Sequence, residues 1–389
     1  MTYDFDEVID RRNTLSIKHD FKKEYNVPEE ALAMWVADMD FRPPREVHEA
    51  LNKVIEHGIF GYSEVNEEYF KVLKAWFEKH YHYEIEKNWI IKCPTVVFAL
   101  YTAVHAYTEP GDPVLILRPV YGPFTRCITE TGRRLVTSTM HYVEDHYEID
   151  FEDMEAKIKE ENIHLFILCN PHNPGGRVWT REELLKMEDI CRRNDVLVVS
   201  DEIHADFVYG DREFTSYATL SEEAREHVVL CTAPSKTFNI AGLQISNIFI
   251  PNEDLRRKFK KAHSASGYGG TGLMGIVAAK AAYEFGEPWM QEMKEYVYGN
   301  QQYVKAYMEQ HVPKVKVMRP EGTYLMWLDF NAYGLEQDEL MRKLKEDALV
   351  WLNSGLDFGE EGKGFARLNV ACSRSVVEEA CRRIEKAFA

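Results

Sequence analysis

The chain has 389 residues, of which 45% are hydrophobic and 29% are charged, a composition typical of a globular protein with a large buried core. Its 64 aspartate and glutamate residues outnumber its 47 lysine and arginine residues, so that the formal net charge is −17. Phosphate backbones and anionic lipid surfaces repel such a chain, and we therefore expect neither a nucleic-acid nor a membrane partner.

The start of the chain, MTYDFDEVIDRR, is acidic where a secretory signal needs a basic start and an apolar core. No apolar run approaches the ~18 residues that a membrane span requires, and a cytoplasmic location is predicted. The 7 cysteines are scattered without any C-x-x-C pair, which favours reduced structural thiols and no metal site.

The elements of the first two thirds of the chain follow a β-α-β pattern. Residues 1–45, rich in aromatic residues and prolines, are expected to pack as an extended arm before it. Short β-branched apolar runs then alternate with amphipathic segments, which predicts a mostly parallel sheet buried on both faces. Between the first two runs, apolar spacing over 96–107 predicts a helix that ends at Pro110 and Gly111. The predicted strands are 89–92, 114–117, 164–169, 196–200, 228–231 and 245–250.

After residue 288 the pattern changes to an α+β type. The predicted elements there are a helix at 290–311, a strand at 323–328, a helix at 337–347 and a terminal helix from Ser375. We therefore predict an α/β fold with a large and a small domain. The predicted units are an arm at 1–45, a large domain at 46–288 and a smaller C-terminal domain at 289–389, which the arm could join.

Polar residues follow three of the predicted strands. Asn173 lies in a Pro- and Gly-rich turn after the third strand, Asp201 follows the fourth, and Lys236 follows the fifth. Ligands of open α/β sheets bind at the carboxyl ends of the strands, so these side chains meet in one crevice if the strands are neighbours. A lysine, a carboxylate and an amide suit pyridoxal phosphate, which needs a Schiff base, a partner for its pyridine nitrogen and hydrogen-bond donors. Alternatively, Asp201 and Lys236 are solvated charges at strand ends, and the turn around Asn173 has no role in binding.

Together these motifs resemble those of the fold-type I pyridoxal phosphate enzymes, the aspartate aminotransferase superfamily. The wider sequence is similar to the MalY/PatB-type branch, whose members are cystathionine β-lyases and related cysteine carbon–sulfur lyases. The matching segments run in order through nearly the whole chain. They are WVADMDF (35–41), GYSEV (61–65), PVYGPF (119–124), NPHNPGGRVW (170–179), SDEIHADF (200–207), APSKTFNIAGLQ (233–244), GTYLMWLDF (322–330) and ARLNVAC (366–372). The resemblance implies a large domain with a mostly parallel sheet flanked by helices and a smaller α+β domain.

The resemblance also implies roles around the cofactor pyridoxal 5'-phosphate. Lys236 is expected to carry the cofactor as a Schiff base and to remove the Cα proton of the substrate. Asp201 should pair with the pyridine nitrogen, and Asn173 should donate to the phenolic oxygen and also bind the substrate. Arg367 should bind the substrate α-carboxylate through both nitrogens of its planar fork. Tyr121 is expected to stack on the cofactor ring, unless it simply packs in the core.

The cofactor phosphate is expected at the N-terminus of the helix that begins near Thr95. The backbone N–H groups of Val96 and Val97 would bind it there, and Ser235, next to Lys236, would be a further donor. The family usually has glycine at the position of Thr95, so threonine would be strained if that position needs a positive φ. Gln244 stands where many aminotransferases have a phosphate-binding arginine.

Two further residues complete the expected site. His204 could substitute for a tyrosine that reaches the phenolic oxygen in many relatives, or it could be a core residue. Tyr62 resembles a tyrosine that crosses to the phosphate of the neighbouring subunit, which implies a homodimer with shared active sites. Otherwise Tyr62 is an ordinary core or interface residue.

The expected reaction is α,β-elimination from L-cystathionine or a related cysteine S-conjugate, giving a thiol, pyruvate and ammonia. An aminotransferase acting on an L-amino acid is the alternative, because both reactions begin with loss of the Cα proton and use the same residues. A cofactor-binding regulator without turnover is a more remote alternative. The joint presence of Lys236, Asp201 and Arg367 argues against it.

Overall fold

Short, buried runs of apolar residues form the strands of the protein, as the sequence pattern predicts. The fold is that of a computed structural model, which describes residues 3–388. All six strands predicted between residues 89 and 250 are present, with bounds that differ by at most one residue. The strands are β1 (Leu32–Ala33), β2 (Ile90–Cys93), β3 (Pro113–Arg118), β4 (Arg134–Thr139), β5 (His141–Val143), β6 (His146–Glu148), β7 (Leu165–Cys169), β8 (Leu197–Asp201), β9 (Val228–Thr232), β10 (Ser246–Phe249), β11 (Lys316–Val317), β12 (Leu325–Asp329), β13 (Val350–Trp351), β14 (Asn353–Ser354) and β15 (Phe365–Asn369).

Within residues 3–388, seven strands form the main sheet in the order β2-β10-β9-β8-β7-β3-β4. Only β10 runs antiparallel to its neighbours, so the predicted mostly parallel α/β fold is confirmed. The carboxyl ends of β2, β3, β7, β8 and β9 therefore lie at one edge of the sheet. The edge strand β4 is absent from the prediction because its sequence, RLVTST, is too polar to read as a buried run.

Helices cover both faces of this sheet, because successive residues of each central strand point into different cores. In β7, Ile167 belongs to one apolar cluster, and Phe166 and Leu168 belong to the other. The helices are α1 (Arg45–His57), α2 (Glu67–Tyr81), α3 (Val96–Tyr107), α4 (Gly122–Thr129), α5 (Phe151–Glu160), α6 (Arg181–Arg193), α7 (Glu222–Glu226), α8 (Pro234–Thr237), α9 (Glu253–Ala265), α10 (Leu273–Phe285), α11 (Glu287–His311), α12 (Gln337–Arg342) and α13 (Arg374–Phe388). None of the described helices combines the length and the apolar character that a membrane crossing requires.

The C-terminal part has its own antiparallel sheet, in the order β11-β12-β15-β14. The predicted helix at 337–347 is present, but its second half, Lys343–Asp347, is wound as a π-helix. The N-terminal segment differs from the expected extended arm, because most of residues 12–26 form turns. It still packs against the C-terminal part, since β1 pairs in parallel with β13.

A buried ion pair and a short ladder of backbone hydrogen bonds join the two parts of the chain. The Glu321 carboxylate accepts hydrogen bonds from Arg177 Nε at 2.9 Å and from the Val178 N–H at 3.1 Å, and Glu321 is only 2% exposed. Beside it the Gly322 N–H donates to the Gly176 carbonyl at 2.8 Å. Gly176 has a φ of +65°, and a Cβ there would approach the Gly322 carbonyl oxygen to 3.2 Å, so glycine is needed at this contact.

We expect Glu321→Gln to lower the free energy of unfolding by about 3 kcal/mol, because it leaves the buried Arg177 without one of its charged partners. Urea denaturation of the ligand-free protein measures this change. The control is Glu336→Gln, which breaks an exposed ion pair with Lys363 and should leave the stability unchanged. Equal stability of the two variants would contradict the assignment.

Candidate active site

A cavity of about 170 Å³ opens at the carboxyl edge of the main sheet, between the loops that follow its strands. One water molecule needs roughly 10–15 Å³ of such space, so the cavity is large enough for a small organic ligand. The structure brings together here most of the residues that the sequence singled out. The lining residues are Ala37, Pro94, Thr95, Val96, Val97, Tyr121, Cys169, Asn173, Asp201, Ile203, His204, Ser235, Lys236, Ala241 and Ile245.

Lys236 reaches the cavity from the short helix α8, which directly follows β9. Its Nζ donates a hydrogen bond to the carbonyl oxygen of Ala37 at 2.6 Å. Burial lowers the pKa of Lys236 to about 8, and Arg367 acts in the same direction, whereas Asp38 and Asp201 oppose it. An amine with this pKa is partly unprotonated near neutral pH and can act as a nucleophile or a base.

Asp201 is the last residue of β8 and is 5% exposed. One of its carboxylate oxygens accepts a hydrogen bond from the Ile203 N–H at 3.1 Å. Burial raises the pKa of Asp201 to about 7, although this hydrogen bond and the charge of Lys236 act in the opposite direction. The ionised carboxylate is therefore costly here unless a cationic ligand group lies next to it.

Arg367 enters from β15 of the C-terminal sheet and is held by neutral oxygen atoms. Its Nη2 donates to the carbonyl of Trp35 at 2.9 Å and to Oδ1 of Asn353 at 2.6 Å, and its Nη1 donates to Oδ1 of Asn173 at 3.1 Å. The guanidinium also lies over the Phe358 ring, 4.9 Å from its centroid. Nε is buried without a hydrogen-bond partner among the described residues. The charge of Arg367 is thus oriented and left available for an anion.

The start of α3 lies at the same cavity. Thr95 is its N-cap, with a φ of −147°, and its hydroxyl oxygen accepts a hydrogen bond from the Phe98 N–H at 3.1 Å. The strain considered for threonine at this position is therefore absent. The N–H groups of Val96 and Val97 stand in the first turn, where a helix has no internal partner for them. Gln244 is an exposed residue beside this region and does not line the cavity.

Of the other residues predicted from the sequence, Tyr121 and His204 lie at the cavity and Tyr62 does not. Tyr121 lines the cavity, and its N–H donates to the Asn173 carbonyl at 3.1 Å. His204 also lines it, and its buried Nδ1 has no hydrogen-bond partner among the described residues. Burial, followed by the charges of Lys236 and Arg367, lowers the pKa of His204 well below its usual range, so the ring is neutral. Tyr62 is fully exposed and lies outside the cavity of its own chain.

Four residues at the site were not assigned a role from the sequence. The carbonyls of Trp35 and Ala37 hold Arg367 and Lys236, and the Tyr324 hydroxyl also donates to the Ala37 carbonyl, at 2.9 Å. Trp35 and Ala37 lie in the motif WVADMDF and Tyr324 lies in GTYLMWLDF, so these motifs could have indicated a role for them. No feature of the sequence marks Asn353, because its position opposite Arg367 depends on the pairing of β14 with β15.

The residues present fit a cofactor that carries an aldehyde, an aromatic nitrogen base and a phosphate. An amine, a carboxylate of raised pKa and the free N–H groups of a helix start surround one cavity, and the guanidinium of Arg367, which does not itself line it, bonds Asn173 in its wall. Comparison with known proteins agrees. The model of the family aminotransferase class I and II matches residues 33–384. The chain belongs to this family.

Individual relatives and solved structures show how similar this chain is to known proteins. The cystathionine β-lyase PatB of Bacillus subtilis (strain 168) is 42% identical over 384 residues, which cover 99% of each chain. Cystalysin from Treponema denticola, whose structure contains a pyridoxal 5'-phosphate cofactor, matches with a TM-score of 0.96 at 36% identity, covering 100% of this chain and 99% of that one. The PLP-bound C–S lyase from Staphylococcus hominis matches with a TM-score of 0.92 at 34% identity, covering 100% and 98%. The relationship that the motifs predict is confirmed.

We expect Asp201→Asn to stabilise the ligand-free protein at pH 8 by about 2–4 kcal/mol. The pKa of Asp201 is raised to about 7 in the folded state, so its ionisation destabilises the fold increasingly as the pH rises from about 4 to about 7 and by a constant amount above that. The gain should therefore shrink when unfolding is measured at pH 5. Asp211→Asn, on the surface, is the control and should change stability at neither pH. A destabilised Asp201→Asn protein would contradict the analysis.

Proposed function

We propose that the protein is a pyridoxal phosphate-dependent β-lyase of cysteine S-conjugates, with L-cystathionine or a related thioether amino acid as substrate. Water is consumed, and the products are a thiol, pyruvate and ammonia. The observation that carries the proposal is the 42% identity to a cystathionine β-lyase over 99% of both chains, with Lys236 and Asp201 lining one cavity and Arg367 bonded to Asn173 in its wall.

The cofactor would be held by groups that the cavity already presents. Lys236 would bind its aldehyde carbon through Nζ, and Asp201 would face the pyridine nitrogen. Asn173 has its Oδ1 occupied by Arg367, which leaves its amide N–H groups to donate to the phenolic oxygen. Tyr121 would lie against the cofactor ring, and the neutral imidazole of His204 would lie near the phenolic oxygen.

The phosphate would bind at the start of α3. The N–H groups of Val96 and Val97 and the hydroxyl of Ser235 all face the cavity region and can donate to it. The Thr95 hydroxyl accepts the N-cap hydrogen bond through its oxygen, so its hydrogen is still available to donate. Gln244 adds no positive charge, so neutral donors would hold most of the phosphate charge.

When bound, pyridoxal phosphate supplies an electron-withdrawing ring, which makes the Cα proton of an attached amino acid acidic and lets a sulfur substituent on Cβ leave. The protein then has two tasks. Arg367 binds the α-carboxylate and so fixes the substrate, and Lys236 Nζ takes the Cα proton. The lowered pKa of Lys236, about 8, suits this base to a neutral pH.

The test is to supply the holoenzyme with L-cystathionine and to measure pyruvate and free thiol without any added 2-oxo acid. We expect equal amounts of both products, and we expect Lys236→Ala to lose at least about a hundredfold in rate because the base is gone. Lys92→Met is the matched control, since burial lowers the pKa of Lys92 to about 7 but its Nζ bonds Asn247 away from the cavity. Product formation only after a 2-oxo acid is added would instead identify an aminotransferase.

The organisation of the chain is proposed along with the function. We infer a large PLP-binding domain at 46–288 and a small domain at 289–389 that the N-terminal arm joins. The separate sheets of the two parts and the pairing of β1 with β13 support this division. The 7 cysteines are all buried and free, which fits the reducing cytoplasm that the sequence predicts.

We further propose a homodimer in which Tyr62 completes the phosphate site of the partner. Tyr62 is fully exposed, and the neighbouring Ile55, Ile59 and Phe60 are more than half exposed. Such a run of apolar side chains on a surface is typical of an interface. The Tyr62 hydroxyl could reach a phosphate only in another chain, because it lies outside the cavity of its own.

Mixing two impaired variants tests this arrangement. Lys236→Ala and Tyr62→Ala should each have little activity, but a hybrid dimer has one intact site, made of Lys236 from one chain and Tyr62 from the other. Random exchange of subunits should restore about a quarter of the wild-type activity. Mixtures that stay inactive although purification through a tag on one variant recovers both chains would contradict a shared site.

A further inference from the structure

The segment 35–41, WVADMDF, contributes Ala37 to the cavity wall and contacts both Lys236 and Arg367. The Ala37 carbonyl accepts the hydrogen bond from Lys236 Nζ at 2.6 Å, and the Trp35 carbonyl accepts one from Arg367 Nη2 at 2.9 Å. These contacts are made by backbone oxygen atoms, so they depend on the path of the segment and not on its side chains. Whatever fixes this path also fixes the two cations.

Side chains from elsewhere, and not strand pairing, fix most of the segment. The Asn369 Nδ2 group donates to the carbonyls of Val36 and Asp38, both at 2.6 Å. The Asn239 side chain accepts from the Met39 N–H at 3.0 Å. Only the Asp40 N–H makes a backbone bond, to the Ala371 carbonyl at 2.9 Å. Isolated bonds of this kind restrain a loop less than a ladder does.

A buried ion cluster anchors the far side of the segment. Lys18, from the N-terminal turns, is 1% exposed, and its Nζ lies 2.8 Å from Asp40 and 3.6 Å from Asp38. Arg11 contacts the same two carboxylates, each at 2.7 Å. Burial raises the pKa of Asp40, but the charges of Lys18 and His19 outweigh it and hold that pKa below its usual range. A fully buried ammonium requires such partners, so Lys18 and the two aspartates are bound to one geometry.

We propose that Lys18 is a positioning residue of the active site, which fixes segment 35–41 through Asp38 and Asp40 so that the Ala37 and Trp35 carbonyls orient Lys236 and Arg367. The proposal rests on the proposed function only in taking Lys236 and Arg367 as the groups that act on the amino acid. Lys18 itself contacts neither of them. Its role passes through the backbone between Trp35 and Asp40.

Lys18→Met removes the buried charge with little change of length, and two measurements follow its effect. The first is hydrogen exchange of the Met39 and Asp40 amides in the apoprotein, which reports the segment without any cofactor. The second is the affinity of the holoenzyme for L-alanine, which has no leaving group on Cβ and so cannot undergo the elimination of the proposed function.

We expect exchange at Met39 and Asp40 to quicken by about tenfold or more and the L-alanine dissociation constant to rise by about tenfold, the effect of losing one charge-assisted hydrogen bond. The matched control is Lys22→Met. Lys22 is also a buried lysine of the N-terminal turns, but its Nζ donates to the Glu29 carbonyl. It should leave both measurements unchanged even if it lowers the melting temperature.

A Lys18→Met protein with a lower melting temperature but wild-type exchange and wild-type L-alanine affinity would overturn the proposal, because Lys18 would then be structural only. If that variant does not fold, Asp40→Asn decides by the same two measurements, since it keeps the size of the side chain. Failure of the wild-type holoenzyme to release pyruvate and thiol from L-cystathionine would refute the proposed function. The exchange measurement on the apoprotein would still decide the role of Lys18.

Discussion

At the cavity and beside it, the protein holds an ammonium, a carboxylate and a guanidinium away from bulk water, and the surrounding structure depends on this constraint. None of the three forms an ion pair within 4.0 Å in the described part of the chain. Lys236 and Arg367 are held by carbonyl and amide oxygens, and Asp201 is held by a backbone N–H. Neutral partners orient a charge without cancelling it, so each charge still favours an opposite charge on a ligand. Burial makes the charged forms of Lys236 and Asp201 less stable, which lowers the pKa of Lys236 and raises that of Asp201.

A few residues away the chain treats buried charge in the opposite way. Lys18, Arg11, Asp38 and Asp40 are paired with one another, so their charges are largely neutralised within the protein. Segment 35–41 lies between these two regions, with paired carboxylates on one side and cation-binding carbonyls on the other. A rigid, neutralised cluster thus supports a site whose charges are left unpaired. Such support is needed because unpaired groups supply no ion-pair energy to hold their own positions.

Sequence reasoning located the cavity because parallel strands place their carboxyl ends at one edge, so residues after β7, β8 and β9 must converge once the strands are neighbours. It could not find the Ala37 carbonyl or Asn353. A backbone oxygen has no identity in the sequence, and the contact of Ala37 with Lys236 spans 199 residues. The backbone conformation at Thr95 could not be predicted either, since a threonine can cap a helix or be strained in a loop. Its negative φ follows from the N-cap hydrogen bond.

The family unites lyases and aminotransferases because the groups that act on Cα serve both reactions. In the proposed mechanism, binding of the α-carboxylate by Arg367 and removal of the Cα proton by Lys236 are common steps, and neither senses what Cβ carries. Selection between the reactions must therefore come from the surfaces that surround Cβ and its substituent. In this chain, Phe358 and Asn353 lie directly against Arg367, and Tyr121 lines the same cavity. A thioether is bulky and apolar, so it gains from aromatic walls that a small polar side chain would leave unfilled. For the proposed lyase, a preference for a sulfur substituent would then be a property of packing, whereas the capacity for chemistry would be a property of the buried charges.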